Sequence, residues 1–278
     1  MSAPKSILLH IDNSAKAEQR LQIAGRIAET FDADVIALYA VSSIYPAYPF
    51  AAPSTAEAAA ALRDIEDANR AAAKARFDSS AGARAARMRW AETSFAGERA
   101  FSRQARYADL MVLGQNQPGE EAQTCLPPDF VQWVLIESGR PALVVPYIGP
   151  TAGALGKVAL VAWKNTRESA RAVSAALPFL CQSERVHVVA WRDDEDDETN
   201  APLDIEGYLR SHGVTATMHR HPSRPVDVGV ALLSMVADVG ANLLVMGCYG
   251  HSRAREWVLG GVTRTVLGAM TVPVLMAH

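Results

Sequence analysis

The chain has 278 residues, 49% of them hydrophobic and 21% charged, with a formal net charge of −3 at pH 7. That length favours two domains over one, and the composition is that of a globular protein able to bury real cores. The slightly acidic balance argues against nucleic acid as a partner, no apolar run approaches the ~20 residues of a membrane span, and Cys125, Cys181 and Cys248 lack both a disulfide framework and metal-ligand spacing. The expectation is a soluble, cytoplasmic protein with neither a membrane nor nucleic acid as partner.

The first apolar strand, KSILLHIDNS (5–14), ends in a small polar cap. Residues 15–31 place Leu21, Ala24, Ile27 and Ala28 on one helical face, and DVIALYA (34–40) reads as the next strand. Residues 45–76 begin as a Pro-rich loop and continue as an Ala-rich helix former. The strands MRWAET (88–93), ADLMVLG (108–114) and RPALVVP (140–146) follow, and GPTAGALG (149–156) has the small residues and turn formers of a linker.

The series then repeats. KVALVAWKNT (157–166) falls over 5–14, RVHVVAW (185–191) over 34–40, ANLLVMG (241–247) over 108–114 and VPVLMAH (272–278) over 140–146, with Pro273 over Pro141. Residues 167–180 and 227–240 supply amphipathic helices, the second ending at Gly240 as a helix C-cap should. TATMHR (215–220) is the remaining strand of this half, and DDEDDE (193–198) reads as a solvated loop rather than a calcium site. Apolar strands alternating with helices indicate parallel sheets covered on both faces. The expected fold is α/β: two tandem, doubly wound, five-stranded Rossmann-like domains, 1–149 and 157–278. The last strand of each half is short, apolar and at an edge, which invites pairing of the halves as an internal pseudo-dimer. Association into a homodimer stays open.

In such sheets a ligand lies at the carboxyl ends of strands, where the strand order reverses. In the second half those ends are Lys164-Asn165-Thr166 and Gly247-Cys248-Tyr249-Gly250; in the first they are Asp12-Asn13-Ser14 and Gly114-Gln115-Asn116. The stretch GCYGHSRAREWVLGGVT (247–263) is a glycine-rich passage from strand to helix, a common way to bring backbone N–H groups to a phosphate. Bland readings stand beside this one. Gly247 and Gly250 can serve only a tight turn, Gly260 and Gly261 only close helix packing, and Thr263 only a helix start. His251, Arg253 and Arg255 suit an anion or plain solvent. Trp163 and Trp191 end neighbouring strands and either stack on a base or cap the core. His219 and His221 alternate on one strand face but give two ligands, so no metal is predicted.

The spacing Gly247-x2-Gly250-x9-Gly260, after the fourth strand of a tandem α/β domain and before a final strand led by VP, resembles the universal stress protein family over essentially the whole chain. The resemblance implies an adenine nucleotide alpha hydrolase-like fold, with ATP or AMP bound in the second domain. The site residues it implies are Ala162, Trp163, Lys164, Asn165, Thr166, Gly247, Tyr249, Gly250, His251, Gly260, Gly261, Val262 and Thr263. It also implies dimer-like pairing through the last strand. Two positions depart from the family's nucleotide-binding pattern. Gly261 stands where a Ser or Thr usually follows the third glycine, and Lys164 stands where an Asp ends the first strand. The first half keeps the acidic strand end at Asp12 but loses the glycines. After Gly114 it reads QNQPGEEAQTCLPPDF, where Glu120 and Glu121 repel phosphate and Pro118, Pro127 and Pro128 remove donors. No Walker-type loop, nucleophile elbow or HExxH motif is present. The expected function is a stress-response protein that binds an adenine nucleotide and is non-catalytic, or at most a slow ATP hydrolase. An interaction or scaffold protein that works through partners, and a binder of another small molecule, stay open.

Overall fold

The computed structural model describes residues 3–40, 56–81, 87–93, 98–117, 126–148, 155–191, 203–250 and 261–278. Two compact units divide the chain, one spanning Pro4–Arg140 and the other built on Pro141–His278.

In the first unit β1 (Ser6–Ile11), β2 (Asp34–Tyr39), β3 (Met88–Glu92) and β4 (Leu110–Gly114) form a parallel sheet. The strands lie in the order β3-β2-β1-β4, with Ile7 opposite Val35 on one side and Leu110 on the other. Helix α1 (Ala17–Phe31) buries Leu21, Ala24, Ile27 and Ala28, the stripe its spacing predicts, and ends at Asp32 in a left-handed conformation (φ 55°). Helix α2 (Ala56–Ala81) is the Ala-rich segment. Two short helices, α3 (Glu98–Ala105) and α4 (Phe130–Ser138), have no counterpart among the helices read from the sequence. Each is about two turns long, and Phe101 and Phe130 bury them against one another. So short an element is ordered by packing more than by its own periodicity.

The second unit runs β5 (Ala142–Val145), β6 (Val158–Trp163), α5 (Arg167–Leu180), β7 (Arg185–Trp191), α6 (Ile205–Ser211), β8 (Ala216–His221), α7 (Val228–Asp238), β9 (Leu243–Gly247), α8 (Gly261–Ala269) and β10 (Val274–Ala277). Its strands lie in the order β5-β10-β9-β6-β7-β8. β6 pairs with β7 on one side and β9 on the other, so the order reverses between β6 and β9. Helices α5, α6 and α7 start at side-chain caps: Thr166 accepts from Ser169 N–H, Asp204 from Gly207 N–H and Asp227 from Val230 N–H. Helix α7 gives way to Gly240 at φ 64°, the left-handed position glycine fills most readily. β9 is buried almost throughout, as a central parallel strand should be.

The fifth strand of each half meets the other here. β5 runs antiparallel to β10, with Val144 opposite Val274 and Ala142 opposite Met276. β5 thus belongs by sequence to the first repeat and by packing to the second unit. Among the described residues no helix is long and apolar enough to cross a membrane.

Candidate functional site

The second unit's strand reversal brings together most of the site residues expected there. Ala162 and Trp163 close β6, half-buried; Lys164 and Asn165 are exposed, and Thr166 starts α5. Met246 pairs with Ala162, which sets Gly247 beside the end of β6. A Cβ on Gly247 would lie 2.6 Å from Ser169 N and 2.7 Å from the Glu168 carbonyl carbon. Glycine is therefore required at this position because the first turn of α5 packs backbone to backbone against the end of β9.

Tyr249 follows with φ 56°, a conformation rare outside glycine, asparagine and aspartate. Its neighbour Cys248 is fixed on both backbone groups. The Cys248 N–H donates to Ala277 C=O at 2.9 Å, and the Cys248 carbonyl lies 3.2 Å from His278 Nδ1. A carbonyl only accepts, so the His278 tautomer carries its proton on Nδ1. Arg171 of α5 donates to the His278 carbonyl at 2.9 Å. Strain at such a turn persists only where the surroundings over-determine it, and here the last strand and α5 both hold it.

Glu168 is a residue that motif reading missed. It is 2% exposed and lies under Gly250, where an added Cβ would sit 3.1 Å from its Oε2. Burial opposes its charge, but the hydrogen bond from Arg167 Nε, its own backbone N–H and Thr166 outweigh that and hold the carboxyl below its ordinary value. Its place in the first turn of α5 also favours an anion. The carboxylate repels phosphate and accepts hydrogen bonds from N–H or O–H groups. Gly261 opens α8, and among the described residues nothing lies within 4 Å of a Cβ added there. Val262 is half-buried and Thr263 is buried, two residues inside α8 rather than at its cap. His251, Arg253, Arg255 and Gly260 lie outside the described residues, as do Pro118, Glu120, Glu121 and the acidic run 193–198.

Residues 157–278 match the family model described as the universal stress protein family. The second half is a universal stress protein domain. A comparison with curated proteins found no match. Among solved structures the chain is similar to a universal stress protein from Archaeoglobus fulgidus DSM 4304 (14% identity, TM-score 0.72), covering 99% of this chain and 96% of that one. It is similar also to a Pseudomonas aeruginosa UCBPP-PA14 protein described as a putative universal stress protein (17% identity, TM-score 0.59, 99% and 93% covered). At these identities the likeness shows the fold. That fold is the tandem α/β arrangement the repeat implies.

The first unit's crevice differs in kind from that of the universal stress protein domain. Asp12 ends β1 and is 2% exposed; its Oδ2 lies 2.7 Å from Arg20 Nη2 of α1, and its Oδ1 accepts the Ser14 N–H at 2.9 Å. Burial opposes the charge on Asp12, but the Arg20 guanidinium overrides it, and the carboxyl falls to about 2. His10, 3.9 Å from Asp12, is packed against Phe101 and Phe130 with ring centroids 5.4 and 4.5 Å away. Burial lowers its pKa to about 4, so it is neutral at pH 7. A Cβ on Gly114 would lie 2.3 Å from Arg20 Nη1. Gly114 therefore makes room for a guanidinium belonging to the protein itself. Arg20 interrupts the apolar stripe of α1, between Ala17 and Ala24, and that interruption was the signal available in the sequence.

Proposed function

We propose that the universal stress protein domain binds an adenine nucleotide, AMP or ATP, in the crevice between the ends of β6 and β9, and that the protein serves as a non-catalytic stress-response module. The observation that carries this reading is the strand reversal between β6 and β9, where half-buried Trp163 and exposed Lys164 end β6 beside the capped start of α5. Reversal points of this kind are where open parallel sheets hold their ligands. The chemistry divides along the crevice. Lys164 offers a cation at the end of β6, Trp163 an aromatic surface, and Glu168 an acceptor for ligand hydroxyl or amino groups. In the first unit, the Arg20 guanidinium occupies the space in front of Gly114 and pairs with Asp12 at 2.7 Å, which supports a single nucleotide per chain. We further propose that residues 1–149 and 157–278 act as the two repeats, held together through β5 and β10.

Mass spectrometry of small molecules released from protein purified without added nucleotide tests this reading, followed by calorimetric titration with AMP and ATP. The expected result is one adenine nucleotide per chain, with binding at least tenfold weaker in a folded Gly250→Glu variant, whose new carboxylate would stand beside Glu168. No release, together with no heat at millimolar AMP or ATP, would replace the proposal by an interaction protein whose glycines serve only the turn.

A further inference from the structure

Two histidines on the outer strands of the second unit meet in a way the sequence did not suggest. Val189 of β7 is opposite His219 of β8, so His187 and His219 project from the same face, one diagonal step apart. Their nearest ring nitrogens, His187 Nδ1 and His219 Nε2, are 3.0 Å apart. His221, on the same face of β8, stacks on Trp191 instead, with centroids 5.8 Å apart and planes 19° from parallel.

We propose that His187 Nδ1 and His219 Nε2 form a two-imidazole chelate for a divalent transition-metal ion of tetragonal preference, copper(II) foremost. The separation of the nitrogens selects the geometry. With metal–nitrogen bonds of about 2.0–2.1 Å, nitrogens 3.0 Å apart subtend about 91–97° at the metal. A tetrahedral ion would need the nitrogens about 3.3–3.4 Å apart. Right angles between imidazole ligands suit copper(II) and nickel(II), and copper(II) binds such donors most tightly of the first-row divalent ions.

The protonation state agrees with this geometry. Burial, then His219 and Arg185, push the His187 pKa below its ordinary value, so the ring is neutral and has a lone pair to give at pH 7. Both rings stand on hydrogen-bonded strands, so little ordering is left for the metal to impose. Without metal the pair shares one N–H···N contact, and among the described residues His187 Nε2 is buried with no hydrogen-bond partner. Ligation through Nδ1 requires the His187 proton to sit on Nε2. Among the described residues no cluster of three His, Cys, Asp or Glu side chains could complete a protein cage. Water fills the remaining positions. The chelate is independent of the nucleotide reading.

The test is titration of the tag-free full chain with copper(II) against a weak competing chelator, with electron paramagnetic resonance at one equivalent. The expected result is one bound copper(II) with a tetragonal spectrum split by two imidazole nitrogens. His187→Gln and His219→Gln should each weaken binding by about tenfold or more, and His212→Gln should leave it unchanged. Absence of a stoichiometric site, a spectrum without two imidazole nitrogens, or affinity unchanged in both His187→Gln and His219→Gln would overturn the proposal. Should either variant fail to fold, the wild-type spectrum decides alone.

Discussion

At the end of β1, Asp12 is buried against Arg20 and His10. At the matching end of β6, Lys164 is exposed, and the nearest buried charge, Glu168, comes from the helix that follows. The glycines behind these ends differ as well. Gly114 admits the flexible end of an arginine, whereas Gly247 admits the backbone of a helix. Two copies of one α/β plan have thus used the same crevice in opposite ways. One fills it with an internal ion pair, and the other leaves a lysine exposed at the strand end above a carboxylate buried from the next helix. A retained glycine at a strand end is therefore not evidence of a retained ligand, because the side chain that approaches it decides its use.

The comparison can be broken most sharply at Arg20. Arg20→Ala leaves Asp12 buried without its partner, and the expected loss is about 3–5 kcal/mol, read as the fall in urea midpoint. Replacing both, Arg20→Met with Asp12→Leu, should recover most of it. A loss below 1 kcal/mol for Arg20→Ala alone would mean that the pair is solvated and the crevice open.

Acid should act next, and on the first unit. The folded-state pKa of His10 is about 4, below its ordinary 6.5, so the unfolded chain binds more protons between those values. Stability then falls as pH drops from 6.5 to 4, by about 3 kcal/mol in all. Asp12 adds its own loss only below its ordinary pKa, as pH falls toward 2. Thermal unfolding of His10→Leu against the parent should show the slope between pH 4 and 6.5 flattened. An unchanged slope would remove His10 from the account.

The smallest effect is the most specific. Gly247→Ala sets a methyl against the Ser169 and Glu168 backbone, which cannot step aside, and should cost about 1–3 kcal/mol. Gly114→Ala meets the buried Arg20 guanidinium, so its cost should be relieved in the Arg20→Met, Asp12→Leu background, whereas the cost of Gly247→Ala should persist there. Equal relief of both, measured by chemical denaturation, would erase the distinction between the two glycines.

What the sequence determined by itself is the plan. Its repeated apolar blocks fixed the strands, because a central parallel strand must be apolar along its length. The stripe at Leu21, Ala24, Ile27 and Ala28 and the stop at Gly240 located helices, because amphipathic spacing and left-handed caps are local signals. The glycine spacing from Gly247 to Gly260 pointed to one end of one sheet for the same reason. Helices α3 and α4 escaped because two turns carry too little periodicity of their own. Only the tertiary structure decided that Arg20 reaches Gly114, that Glu168 lies under Gly250, that His187 meets His219 and that β5 pairs with β10. Each of these joins residues from separate elements, and whether a charge is satisfied or a glycine filled depends on what packing brings within a few ångströms of it.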